Sequence, residues 1–274
     1  MLDPRAIAPI ALAAALLTAS TGVNAFDESK YPDLKGQWLR VGDARWADPN
    51  EAPLTPEYRA RFEASLKDRA AGDPSVDPTV TCLPPGMPRA MIAYGPMEIV
   101  VTPHTTRILL QHIHDSRRIF TDARNWPDGL EPTFAGYLIG TWRDEDGDGH
   151  YDTLTVETRG FKGPRTFDAS GLPLHEDGAT VVKERIYPDK SDRNLLHDEI
   201  TVIDNALTRP WTVTRSYRRD PNARPVWREV VCAESNRYVV IGNDTYLQSA
   251  DGYLMPARKG QAPPDLSYFR KAPK

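Results

Sequence analysis

Beyond residue 25 the apolar positions settle into two periods. In LTPEYRARFEASLKDRAAG they recur four apart, at Leu54, Tyr58, Phe62 and Leu66, which is one face of a helix. Thr55 is a good N-cap, Pro56 suits the first helical position and Glu57 the first turn. An amphipathic helix is expected from there to near Gly72. From Met97 onward the runs are strand-like and separated by turn residues. MEIVVT, TRILLQHI, RRIFTD, YLIGTW, YDTLTVET, ATVVKERIY, LLHDEITVI, WTVTRSYRR, VWREVVCA and RYVVIG follow one another, and residues 36–41 add an earlier strand. One connection, ARNWPDGLEPTFAG, is longer than the rest. Parallel neighbours need a crossover of about a dozen residues or more, so short connections predict an antiparallel meander. So long a meander protects its edges best by closing into a barrel. No repeat of fixed period suggests a propeller.

The N-terminus changes the picture of where this barrel works. MLDPR, then AIAPIALAAALLTAS, then small residues at Val23 and Ala25 give the charged, apolar and cleavage regions of a signal peptide over residues 1–25. The run is short and Ala-rich for a membrane span. A periplasmic or secreted protein is expected, a single domain over residues 26–274, with no integral membrane segment after cleavage. The two cysteines, Cys82 and Cys232, then read as a disulfide. Charge adds an exclusion: 34 basic against 38 acidic residues, net −4, offers no field for nucleic acid.

The runs YPDL-G-W, CLPPGMPR, RRIFTDAR, IGTW…DTLTVET-GF, PWTV-RSYRR and VVCAESN together resemble a large family of secreted bacterial lipocalin-like β-barrel proteins. Its members carry stretches such as CxPxGMPR, RRIYTDGR and GxWEGDTLVVDTxGF in the same order. The resemblance spans most of the chain after residue 25. It implies a lipocalin-like antiparallel β-barrel of about 8–10 strands with one N-terminal helix. It implies no reaction and lends no catalytic roles. This chain departs from the pattern where WEGDTL becomes WRDEDGDGHYDTL.

That insertion is the most charged stretch. Hard cations want several converging oxygens. Asp144, Asp146, Asp148, Gly149, His150 and Asp152 fall on positions 1, 3, 5, 6, 7 and 9 of a Ca²⁺ loop, His150 through its carbonyl. Position 12 is Thr155 where such loops carry a bidentate Glu. A structural Ca²⁺ is therefore the cofactor to look for, and no organic cofactor is expected; the plainer reading is a solvated hairpin tip. His112 and His114 share one strand face, a spacing at which two imidazoles can share Zn²⁺. No third ligand stands at a set distance, so they read first as part of a polar wall.

Charges inside strands raise a further possibility. Arg117, Arg118 and Arg124, with Glu184 and Glu199, sit where alternation sends about half inward. Inward charge persists when paired or serving a ligand. The expected ligand-binding set is Arg117, Arg118, Arg124, His112, His114 and Trp142. The candidate acids and bases are His175, Glu184 and Glu199. No GxSxG elbow, phosphate loop or dinucleotide fingerprint is present. The chain thus reads first as a barrel that binds a small apolar or amphipathic molecule in its lumen. A cofactor-free lyase, isomerase or hydrolase in the same lumen is the alternative, and a structural envelope protein the third.

Overall fold

The computed structural model describes residues 26–71, 77–92, 94–112, 116–235, 237–242 and 244–265. The expected signal peptide, residues 1–25, lies outside them, as do Gly72, His114 and Asp115.

Nine strands close into a barrel: β1 (Gln37–Arg40), β2 (Met97–Val101), β3 (Thr105–Leu110), β4 (Ser116–Phe120), β5 (Tyr137–Arg143), β6 (Thr153–Arg159), β7 (Val181–Pro188), β8 (Leu195–Ile203) and β9 (Trp211–Arg219). Each pairs with the next, and β1 closes the ring on β9 with Arg40 opposite Tyr217. The antiparallel expectation needs one correction. Ile119 pairs with Leu138 and Phe120 with Ile139 in parallel, so the wall is mixed at β4–β5. The reason lies in the one long connection. Residues 121–136 carry the chain back along the wall, a crossover of the length that parallel pairing requires.

Two further expectations change at the C-terminal side. VWREVVCA supplies no strand: residues 226–231 have none, and Cys232–Ser235 is a helical turn. A closed ring offers no edge for a tenth strand. RYVVIG does form β10 (Tyr238–Ile241), but it pairs with β11 (Asp244–Gln248) and, through it, β12 (Leu254–Pro256) in a separate small sheet. Cys82 and Cys232 are bonded, with Cα atoms 5.7 Å apart and a sequence separation of 150. Closing so long a loop stabilises by about 5 kcal/mol in the chain-entropy account.

Alternation along each strand decides what the barrel holds. Ile108, Ile119, Val182, Leu196, Ile200 and Val202 point inward and are fully buried, as is Trp38. One barrel end is plugged by Trp46, 5.7 Å from Phe167 and 6.1 Å from Trp211 between ring centroids. The helix α1 (Pro56–Ala70) lies at this end. The Thr55 hydroxyl caps it by accepting from the Tyr58 amide, and the Thr55 amide donates to the Ala206 carbonyl at 2.9 Å. Tyr58 and Phe62 are buried, whereas Leu66 is exposed, so the apolar stripe is shorter than its periodicity suggested. No described helix is long and apolar enough to cross a membrane.

Gly140 is needed at the parallel junction. A Cβ there would stand 2.5 Å from Ile119 Cγ2 and 3.1 Å from the Thr155 carbonyl. Gly140→Ala should cost about 1–3 kcal/mol through overpacking. Urea unfolding checks this, and an unchanged midpoint would show that β4 and β5 are not held at this spacing.

Candidate functional site

Among the described residues, four buried polar side chains meet as an island inside the wall. Arg117 on β4, Glu184 on β7, Asp198 on β8 and Tyr217 on β9 all fall on inward positions of their strands and are buried. Arg117 donates to both Glu184 oxygens, at 2.8 and 2.5 Å. Such a bidentate pair is the geometry that repays desolvation best. Desolvation works against the Arg117 charge, but the facing Glu184 carboxylate outweighs it and raises the guanidinium pKa. Tyr217 donates its hydroxyl to the Met91 carbonyl at 2.5 Å. Burial, with the Asp198 and Glu184 charges, pushes the Tyr217 pKa well up.

Asp198 is the group in tension. Neither of its oxygens receives a hydrogen bond from a described donor. Burial, then repulsion from Glu184, raises its pKa well above the ordinary carboxyl value, against the pull of Arg117. As a neutral acid its own O–H can donate to Glu184, the neighbour that also raises its pKa by hydrogen bonding. Two carboxyls therefore share the environment of one guanidinium, and Asp198 is the one whose pKa is driven up.

The three expected acids and bases do not meet. Glu184 faces inward. Glu199 lies on the outer face, paired in register with Arg185 and Thr214. His175 is in the loop before β7; its backbone amide donates to Asp204 at 2.9 Å, and its ring packs 5.2 Å from Tyr58. The expected ligand-binding residues also scatter. Arg117 is in the core. Arg118 is exposed. Arg124 lies outside over the Phe120 ring, bonded twice to Asp122 at 2.8 and 2.6 Å. Trp142 is a core residue whose indole donates to Thr106 at 3.0 Å.

The acidic loop is drawn together in part. Single oxygens of Asp144, Asp146 and Asp152 lie within 4.8 Å of one another. Asp148 instead accepts from the His150 amide at 2.8 Å, and its carboxylate stands 3.5 Å from the His150 ring. Asp144 is occupied by the amides of Gly147, Asp148 and Gly149, at 2.7, 3.2 and 2.9 Å. The loop thus holds its shape through its own backbone donors. Its three converging oxygens are about half of the six to eight that Ca²⁺ takes.

Of the described members of the expected ligand set, His112 lines a ligand-sized hollow. A cleft of about 610 Å³ opens at the outside of the plugged end. Leu83, Pro84, Pro85, Ile92, Phe134 and Val230 give it an apolar lining, and the Cys82–Cys232 bridge forms part of its wall. Thr79, Arg89 and His112 supply polar groups. Arg89 is held by an ion pair with buried Asp77 and donates to the Thr79 hydroxyl at 3.1 Å. The His112 ring meets Tyr94 edge-on at 5.5 Å. Partial desolvation and then the Arg89 charge hold its pKa below the ordinary imidazole value. Arg89 ends the CLPPGMPR run, but no local pattern in the sequence brings it or Thr79 to a cleft. No protein-family model, no curated protein and no solved structure matches the chain.

The island makes a pH prediction. The folded pKa of Asp198 lies above the unfolded value of about 3.9. Its contribution is therefore complete below about pH 4 and is lost as pH rises toward the folded pKa. Asp198→Asn keeps the shape and a donor toward Glu184 without the titration. Its stability relative to the parent should rise from pH 5 to pH 8 in urea unfolding. A difference that stays constant with pH would show that Asp198 is ionised in the fold.

Proposed function

We propose that the chain is an exported β-barrel protein that binds a small apolar or amphipathic molecule in the cleft beside the Cys82–Cys232 bridge. The cleft itself carries the reading. It has the size and the largely apolar lining of a small-molecule site, with a few polar groups able to orient one end of a ligand. The inward side chains direct the choice of place, since Ile108, Ile119, Leu196 and Ile200 are fully buried while the cleft lies open. An apolar body would lie along Pro84, Pro85 and Phe134, with its polar end toward Arg89, Thr79 and His112. The bridge supports a location outside the reducing cytoplasm, as does the leader-like pattern of residues 1–25. The motif order shared with secreted lipocalin-like proteins supports the same assignment.

Ala135 lines the cleft and offers a way to fill it. N-phenyl-1-naphthylamine, an apolar fluorescent probe, should brighten and shift to the blue with the parent protein. Ala135→Trp should weaken its binding about tenfold or more, the cost of losing about 1.4 kcal/mol of contact. Equal binding by parent and variant, or none by the parent, would sink the cleft as the binding site.

A further inference from the structure

The outer wall carries a hydroxyl, an imidazole and a carboxylate in a line, at the barrel end opposite the aromatic plug. Tyr187 on β7, His197 on β8 and Ser216 on β9 stand directly opposite one another in register. They form one row across the outer face. His197 Nδ1 lies 2.9 Å from Ser216 Oγ, and His197 Nε2 lies 3.1 Å from Asp189 Oδ2. Asp189 follows Pro188, the last residue of β7, so the turn brings its carboxylate back over β8. That turn fixes the carboxylate: Asp189 Oδ1 accepts from the Ser191 hydroxyl at 2.6 Å and from the Ser191 and Asp192 amides at 2.8 and 3.0 Å. These donors, the Ser191 hydroxyl first, hold its pKa below the usual carboxylate range.

This geometry selects a tautomer. An ionised carboxylate accepts only, so Nε2 carries the ring proton toward Asp189. Nδ1 then offers its lone pair to the Ser216 O–H. A positioned base on a hydroxyl, itself oriented by a carboxylate, is the arrangement that activates a serine nucleophile. Either ring nitrogen can serve as the base, because what matters is one acceptor toward serine and one donor toward the acid.

The surroundings suit a substrate. Ser216 and His197 are half-buried and Asp189 is partly open to solvent. On the β1 side, the Val41 amide donates to the Ser216 carbonyl at 2.8 Å. Val41 and Leu39 there are 46% and 41% exposed, an apolar strip beside the hydroxyl. On the other side Tyr187 and Asp189 line a wide polar groove of about 1350 Å³ that also holds Lys190 and Arg193. Arg218, two residues along the same face of β9, is paired with Asp192 at 2.9 Å and adds a cation near the row.

We propose that Ser216, His197 and Asp189 form a hydrolytic centre for carboxylic esters. The short acyl chain lies on Leu39 and Val41, and the polar alcohol part in the groove. Ser216 Oγ bonds to the ester carbonyl carbon as His197 takes the hydroxyl proton and the carbonyl electron pair moves to oxygen. Collapse of this intermediate breaks the carbon–oxygen bond to the alcohol, which leaves with the proton from His197. Water then attacks the acyl-serine, His197 takes its proton and returns it to Ser216, and a carboxylic acid departs. Ser216 and His197 are the catalytic residues; Asp189 is a positioning residue.

A fluorophosphonate probe on the parent chain, with the modified residue located by peptide mass spectrometry, tests the nucleophile without any substitution. The label should sit on Ser216. The parent should hydrolyse p-nitrophenyl butyrate. Ser216→Ala should lose about a hundredfold or more of that rate with an unchanged melting midpoint. Asp189→Asn should lower kcat about tenfold or more and leave KM unchanged, a split that a merely structural role would not give. Absence of label from Ser216, no hydrolysis by the parent, or parent-like hydrolysis by Ser216→Ala would each overturn the proposal.

Discussion

The pairing of β1 with β9 governs the molecule, because it turns a ribbon of strands into a wall with an inside and an outside. Once the ring is closed, the two-residue period of a strand assigns every side chain to one region or the other. Glu184 and Arg185 are sequence neighbours, yet one sits in the core against Arg117 and the other outside against Glu145. Asp198 and His197 divide in the same way. Closure also removes the edges on which a tenth strand could add, so the chain after β9 builds its own small sheet.

The core accepts an ionic group because the group is nearly self-sufficient. Arg117 and Glu184 satisfy each other twice over. A buried pair of this kind contributes little net stability, but removing one partner strands a charge in a medium that cannot solvate it. Asp198 brings a second carboxyl into the same space, where burial and the Glu184 charge both favour its neutral form. The barrel is thus apolar around a compact acid–base island, with Tyr217 linking it to the Met91 backbone.

The two ends of the wall are built differently. At one end Trp46, Phe167 and Trp211 fill the mouth, and Leu83, Pro84 and Pro85 border a cleft against the disulfide. At the other, the long β5–β6 and β7–β8 hairpins rise past the wall and enclose a polar groove. Each hollow is bounded by connections held in place by strands, the setting in which binding and catalytic groups are commonly presented. The acidic loop shapes the second groove: Glu145 and Asp146 pair with Arg185 and Lys190, at 2.7 and 3.9 Å.

Much of the architecture was legible in the residues themselves. Local periods located α1 and every barrel strand, and turn chemistry separated them. The cysteine pair was readable because two thiols leave one partner each. The parallel junction was less visible, since a long connection shows only that the chain has room to cross. The candidate sites were largely illegible. Alternation said that some strand charges must face inward, but not that Arg117 would meet Glu184, because β4 faces β7 across the interior only once the ring has closed. Ser216, His197 and Asp189 lie within 28 positions of one another yet show no motif spacing. Their meeting follows from the registers β7–β8 and β8–β9, which no local pattern states. Short-range preferences are written into neighbouring residues, whereas a site made of facing strands exists only after long-range pairing has set which residues stand opposite.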